Sequence, residues 1–489
     1  MRRLDDVARD YNGAHMSDGA TPVRTGRLAA LVVLFLVLSL LVPRPESITP
    51  QGWRTFAIFV SVIAGMAIQP MSGAALVILG LTAVTVNGIP MREALGGFGE
   101  PSVWLVLSAM LMARAIFDSG LARRLALLFI RRFGGSSLGI AYALVMTDVT
   151  LATGVPSITA RSAGMVLPIG RSIAELFGSL PGPTAPRLGR FLISAMYQGS
   201  AVACAMFLTG QASNVLAAGL AAKLAGVDVT WSGWLIAASV PGLVSCLVVP
   251  WVVHKVVPPE ITHTPEAAAF AVRELAVLGT VRRQEGITMA VFAAVGLLWL
   301  TTGWHRLDVT LVAMGGLSVM LVTGTLRWEN IIAERAAWDV FIWYGGLLKM
   351  GELLNATGVP TFFATSVGSL LTGVDWFVVL VLVLVLFFVT HYLFASITAH
   401  MLALFPPFAT LLIGVGVPPT LAVYSLMCLA NLPAGLTHYG TTTGPILFSQ
   451  GYVTLSEWWR TGAIVGAVNL TIWIVVGLAW WRVLGFWQG

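Results

Sequence analysis

The sequence predicts an all-α polytopic membrane protein, with about eleven transmembrane helices and two re-entrant hairpins arranged as an inverted repeat. Three observations point there. The chain has 489 residues, 57% hydrophobic and 10% charged, and apolar runs of roughly 16 to 20 residues, each long enough to cross a bilayer, recur throughout. Two apolar stretches, 138–177 and 376–415, are about twice as long as one crossing needs. Each holds the same polar tetrad, Ser-Ile-Thr-Ala, at Ser157 to Ala160 and at Ser396 to Ala399. Backbone leaves helical geometry at membrane depth only where protein or a water-filled cavity satisfies its polar groups, so such tips usually line a substrate path.

In chain order, residues 1–27 carry Arg2, Arg3, Arg9, Arg24 and Arg27 among acids and glycines and read as a polar cytoplasmic arm. Leu28 to Val42 follows without an A-x-A cleavage site, so the span near 28–43 is retained rather than cleaved as a signal peptide. Further spans are expected near 53–69, 71–89, 101–120, 190–209, 232–254, 286–303, 307–325, 338–357, 418–436 and 457–481. The first span and first repeat unit occupy 28–257, a cytoplasmic linker 258–285, and the second unit 286–489. Gly154 and Pro156 interrupt the first long stretch just before its tip; Thr390 and His391 precede the second tip, and Pro406-Pro407 follow it. Two ordinary spans with a serine-threonine packing spot are the alternative to each hairpin.

The charges follow the positive-inside rule. With the N-terminus inside, the inner loops contain Arg123, Arg124, Arg131 and Arg132, then Arg187 and Arg190, then Lys255, Arg273, Arg282 and Arg283. The outer stretch 358–374 has no basic residue, and the C-terminus falls outside. This distribution accounts for the formal net charge of +6, so no nucleic-acid partner is implied. Cys204, Cys246 and Cys428 lie in apolar segments without paired spacing, which argues against disulfides and zinc. Trp458-Trp459 and Trp480-Trp481 read as anchors at the lipid interface.

The halves repeat. Gly120 and Gly358 each end a span that opens with Val103-Trp104 or Val340-Phe341, and the tip serine follows 37 residues later in the first half and 38 in the second. Leu208-Thr209 corresponds to Leu436-Thr437, and Ser232, Trp234 and Gly242 to Ser456, Trp458 and Gly466. The odd number of crossings between the units inverts the second, and paired broken helices in an inverted repeat point to a secondary transporter with a midplane site.

A second polar break follows each hairpin, Thr209-Gly210-Gln211-Ala212-Ser213-Asn214 and Thr437-His438-Tyr439-Gly440-Thr441-Thr442-Thr443. Hydroxyls, amides and free helix-terminal N–H groups at one depth suit carboxylate oxygens. The candidate substrate-binding residues are therefore Ser157, Thr159, Arg161, Thr209, Ser213, Asn214, Ser396, Thr398, His400, Thr437, His438, Gly440, Thr441 and Thr442. Arg161 and His400 each lie two residues beyond a tip threonine, where they would face the two carboxylates of a small dianion. The alternative for Arg161 is a structural ion pair with Asp148. Lys349 has Glu352 one turn on and reads as paired, and His391 as a hydrogen-bonded packing residue. With no Walker loop, HExxH, nucleophile elbow or Cys-x-x-Cys, the sequence implies no enzyme, no cofactor and no bound metal.

The segments "PSITARSAGMVLPI", "AMFLTGQASNVLAAGL", "HYLFASITAHMLALFPPF" and "GLTHYGTTTGPILFSQGYVTLSEWWRTG" together make the chain resemble the divalent-anion:sodium symporter family, in its citrate/succinate antiporter and 2-oxoglutarate/malate translocator branch, from about residue 50 onward. The resemblance implies a homodimer whose protomers have a scaffold domain and a transport domain that moves in an elevator-like way. It also implies a Ser-Asn-Thr signature at both tips, which carries over to Ser157, Thr159, Ser396 and Thr398; the central Asn is Ile158 and Ile397 here. The expected function is sodium-independent antiport of dicarboxylates (malate, succinate, 2-oxoglutarate, with citrate or tartrate as further substrates) in a bacterial cytoplasmic (inner) membrane. On this expectation, fixed charge on Arg161 and His400 makes the empty site expensive to move. Sodium-coupled symport of the same anions is the first alternative, and a non-transporting scaffold or intramembrane enzyme the second.

Overall fold

The computed structural model describes residues 24–371 and 373–488. Most of the N-terminal arm, with Arg2, Arg3 and Arg9, lies outside the described residues. Among them every regular element is helical, apart from one isolated bridge between Ser136 and His263, as expected where lipid leaves the backbone no other partner.

The described chain opens with α1 (Thr25–Leu36), which begins three residues before the expected first span at Leu28, and continues with α2 (Pro50–Ile68), α3 (Gly73–Val86) and α4 (Pro101–Ser119). Thr49 caps α2 by accepting from the Gly52 N–H at 3.0 Å, with Pro50 at the first helical position. The amphipathic α5 (Leu121–Phe133) leads into the first hairpin, α6 (Ser137–Ala152) and a return by π-helical Thr159–Val166 and α7 (Leu167–Leu176). Then come α8 (Gly189–Met206), α9 (Ala212–Ala225) and α10 (Trp231–Val256). The expected span at 190–209 is thus half of a broken crossing. Within the expected linker 258–285, α11 (Pro265–Leu278) packs against α5.

The second half has α12 (Arg283–Leu300), α13 (Val309–Val322) and α14 (Arg335–Ala356), then the amphipathic α15 (Val359–Leu370). Its hairpin is α16 (Trp376–Val389) and α17 (Ile397–Gly414), followed by α18 (Pro419–Leu429), the short α19 (Thr443–Phe448), α20 (Leu455–Ile472) and α21 (Leu478–Val483). From α4 and from α14 the same order of elements runs on: span, amphipathic helix, hairpin, broken crossing, span. Gly120 and Gly358 both turn the chain out of the span at φ 78°, a left-handed conformation that glycine adopts without a side-chain clash.

Two packing groups result. Helices α1 to α4 and α12 to α14 pack on one another; α6, α8 and α10 pack together with α17, α18 and α20 in another group. α9 and α17 touch both.

Candidate functional site

The two polar tips open onto one cavity of about 620 Å3. One wall holds Ser157 and Thr159 of the first tip, Gln211 of the first break, Ser396 and Thr398 of the second tip, and Thr441 and Thr442 of the second break. The facing wall comes from the α2–α3 turn, Met110 of α4, Asp339 and Trp343 of α14, and Arg24. Tip-to-cavity placement answers the alternative of two plain spans, because both interrupted segments present their polar residues to one space.

The tip hydroxyls shape the backbone. Ser157 Oγ accepts from the Ala160 N–H and Ser396 Oγ from the Ala399 N–H, each at 3.3 Å, so both tip serines cap a returning helix in the same way. Thr441 Oγ1 accepts from the N–H groups of Thr443 at 3.1 Å and Gly444 at 3.0 Å. Thr159 Oγ1 lies 2.7 Å from Thr442 Oγ1 and 3.0 Å from Thr443 Oγ1, joining the halves across the site. Three helices of more than eight residues begin at this wall, at Thr159, Ala212 and Ile397, and the short α19 begins at Thr443. Their unpaired N–H groups carry positive partial charge.

Six of the expected residues, Ser157, Thr159, Ser396, Thr398, Thr441 and Thr442, line the cavity, and the other eight do not. Arg161 is fully buried. Its Nε donates to Asp148 Oδ1 at 2.8 Å, one Nη to the carbonyls of Val155 and, at 2.7 Å, Gly210, and the other to Cys204 Sγ at 3.2 Å. Substrate contact by Arg161 is therefore replaced by the ion-pair alternative, for the physical reason that a guanidinium at this depth needs its charge compensated inside the protein. His400 is also fully buried, its Nε2 donating to the Phe387 carbonyl at 2.9 Å and its ring 4.4 Å from that of Phe387.

The remaining candidates lie in and around the two breaks. Thr209 Oγ1 donates to the Thr153 carbonyl at 2.7 Å, and Asn214 accepts from Asn431 Nδ2 at 2.8 Å, linking the first break to the segment that follows α18. Ser213 and Thr437 are buried with unpartnered hydroxyls. The Gly440 carbonyl accepts from His391 Nε2 at 2.9 Å, and a Cβ on Gly440 would stand 2.8 Å from the Ala434 carbonyl oxygen, so a side chain there has no room. His438 sits off the cavity, accepting from Trp459 Nε1 at 3.2 Å. Lys349 and Glu352 pair at 3.3 Å.

With this geometry in place, known proteins supply the frame. Residues 23–487 match the family described as the sodium:sulfate symporter transmembrane region. The chain belongs to the divalent-anion:sodium symporter family. Dicarboxylate transporter 1 of spinach, a chloroplast protein, is 37% identical over 95% of this chain and 82% of its own. The citrate/succinate antiporter of Escherichia coli K12 is 31% identical over 94% of this chain and 98% of its own. Among solved structures, MtrF of Neisseria gonorrhoeae, from a class of antimetabolite efflux pumps, superposes with a TM-score of 0.56 at 14% identity over 98% of this chain and 97% of that one. The YdaH transporter of Alcanivorax borkumensis gives 0.52 at 15% identity over 89% and 98%. At those identities the likeness is one of fold.

The protein is thus a multi-pass membrane transporter and not an enzyme. Within the family, its tips carry Ile158 and Ile397 at the central position, both bordering the cavity with side chains nearly buried. The Ile158 N–H donates to Gln211 Oε1 at 3.3 Å. Sequence reasoning missed Gln211, Asp339 and Arg24 as cavity residues. Gln211 stood in the quoted break, an available signal; Asp339 and Arg24 look like ordinary charges at span ends until the fold brings them opposite the tips.

Proposed function

We propose that the protein exchanges C4 and C5 dicarboxylates such as malate, succinate and 2-oxoglutarate, with citrate and tartrate as further substrates, across a bacterial cytoplasmic membrane. The exchange is independent of sodium and proceeds as an elevator movement in a homodimer. The group of α6, α8, α10, α17, α18 and α20 then forms the transport domain, and α1 to α4 with α12 to α14 the scaffold. The inverted repeat relates the unit after α4 to the unit after α14. With the N-terminus inside, the α2–α3 turn and the start of α14 lie on the cytoplasmic side, and the cavity opens inward.

The observation that carries this reading is the meeting of both tips and both breaks on one wall, with hydroxyls and helix starts but no cation among the described residues there. Each long helix start contributes roughly half a positive charge. Three of them, assisted by the short α19, come close to the charge of a dicarboxylate dianion. The positive potential expected of Arg161 and His400 is better assigned to these N-termini, since Arg161 is already paired. Empty, that wall exposes uncompensated partial charge to the low-dielectric barrier; occupied by a dianion, it does not. Return of the domain therefore calls for another anion.

Sodium-coupled symport remains the second reading, favoured by the buried, unpartnered oxygens Asn431 Oδ1, Ser213 Oγ and Thr437 Oγ1 beside the breaks. Proteoliposomes distinguish the two. Labelled succinate is expected to enter vesicles preloaded with malate or succinate equally well with and without sodium, and to stay out of empty vesicles. Sodium-dependent net uptake into empty vesicles would reject exchange in favour of symport.

A further inference from the structure

Among the described residues that line the cavity, two side chains carry formal charge, Arg24 and Asp339. Arg24 lies exposed at the rim and makes no side-chain hydrogen bond or ion pair among the described residues. Asp339 is the feature a site for anions would be expected to avoid. It stands in the first turns of α14 on the wall opposite the tips, with its carboxylate toward the backbone N–H of Ala74 in the first turn of α3. That contact alone explains an oxygen acceptor at position 339; it does not explain a full negative charge, because an asparagine or serine oxygen meets the same N–H.

We infer that Asp339 is a specificity-determining residue that selects dianions against trianions at this cavity, an inference that rests on the dicarboxylate-exchange reading above. The helix starts on the tip wall match about two negative charges. A substrate bringing a third carboxylate has that group left over, and the facing wall meets it with Asp339. Repulsion scales with the charge of the substrate, so Asp339 acts on every anion but weighs most on those with an extra charge. Two unit charges about 10 Å apart, at an effective dielectric constant of about 40, change an equilibrium by about fourfold. The size is modest, as suits a filter that leaves dicarboxylates free to bind.

The test is counterflow of labelled succinate by the full chain in succinate-loaded proteoliposomes at pH 7.5, with external unlabelled succinate or citrate as competitor. The quantity read is the ratio of the two half-inhibiting concentrations, which is insensitive to how much protein is folded. Asp339→Asn and Asp339→Ser both keep an oxygen for the Ala74 N–H and remove the charge; each is expected to improve citrate relative to succinate by about fourfold. Asp339→Glu, which keeps the charge, is expected to hold the wild-type ratio. An unchanged ratio in Asp339→Asn, with succinate counterflow intact, would overturn the filter while leaving dicarboxylate exchange standing. A wild-type protein silent toward succinate, malate and 2-oxoglutarate would overturn the exchange reading and the filter with it.

Discussion

The two hairpin tips face the same problem with different chemistry. Each must hold several residues of non-helical backbone rigid at membrane depth, where an unpaired carbonyl or N–H is costly. At the first tip, Arg161 reaches from the returning helix to the Val155 carbonyl in the tip and the Gly210 carbonyl in the first break, with Asp148 offsetting its charge. At the second, two imidazoles share the role, His400 holding the Phe387 carbonyl and His391 the Gly440 carbonyl in the second break. One brace is paired with a carboxylate; the other has no carboxylate partner among the described residues and is enclosed by aromatic rings, with His391 and His400 4.9 Å apart. Equivalent positions in a repeat therefore preserve the fastening of tip to break, and leave the residue type free.

The difference is sharpest under mutation. Arg161→Met strands the Asp148 carboxylate in the interior, and removing one partner of a buried pair costs about 3–5 kcal/mol. The expected result is a large fall in the melting temperature of the purified protein in detergent. Removing both charges, as Arg161→Met with Asp148→Leu, is expected to recover much of that loss, although the Val155 and Gly210 carbonyls stay without their donor. No recovery in the double variant would mean that those two carbonyl contacts, and not the ion pair, hold the first tip.

His391→Leu is the matched experiment at the second tip. It leaves the Gly440 carbonyl unpaired but strands no charge, so a loss of about 1–3 kcal/mol is expected, visibly smaller than at Arg161 in the same melting assay. Equal losses at the two tips would erase the distinction between a brace with a carboxylate partner and one without. Smaller still are the serine caps. Ser157→Ala and Ser396→Ala each remove one N-cap acceptor, worth about 1 kcal/mol, and two like values would establish that the capping itself is the shared element. Because both hydroxyls also border the cavity, each variant is expected to raise the succinate concentration for half-maximal counterflow by more than its effect on stability explains.

The sequence was explicit about these tips because they repeat: two tetrads, two glycines at matching distances, and two long apolar stretches that no single crossing can accommodate. Both turned out to be hairpins facing one cavity. It turned Arg161 toward the substrate, with the Asp148 pair as the alternative, since whether a buried cation meets substrate or its own carboxylate depends on how α6 and the returning helix sit side by side, 13 residues apart across the tip. Helix α9 escaped notice for a related reason. Its Ala212–Ala225 run follows a polar break, and a reading by apolar length stops at the break and discards the half-helix beyond. Asp339 is a tertiary fact of the same kind, an ordinary span-end acid made significant by what the fold places opposite it.

The last change probes what the tips still have in common, their isoleucines. Ile158 and Ile397 occupy the position at which the family resemblance implies an asparagine, and both border the cavity with side chains nearly buried, so an amide there lowers stability unless it finds a partner. Its effect belongs to coupling. If sodium independence follows from the missing amides, Ile158→Asn with Ile397→Asn supplies two carbonyl oxygens at the tips, and hard oxygen donors of that kind suit a small cation. Succinate counterflow in the double variant is then expected to become stimulated by sodium but not by choline, while the wild type responds to neither. A double variant that folds, exchanges succinate and ignores sodium would show that the isoleucines are not what sets this chain apart from a symporter, and would move the cause to the breaks behind the tips, where Asn214 Oδ1 is already committed to Asn431.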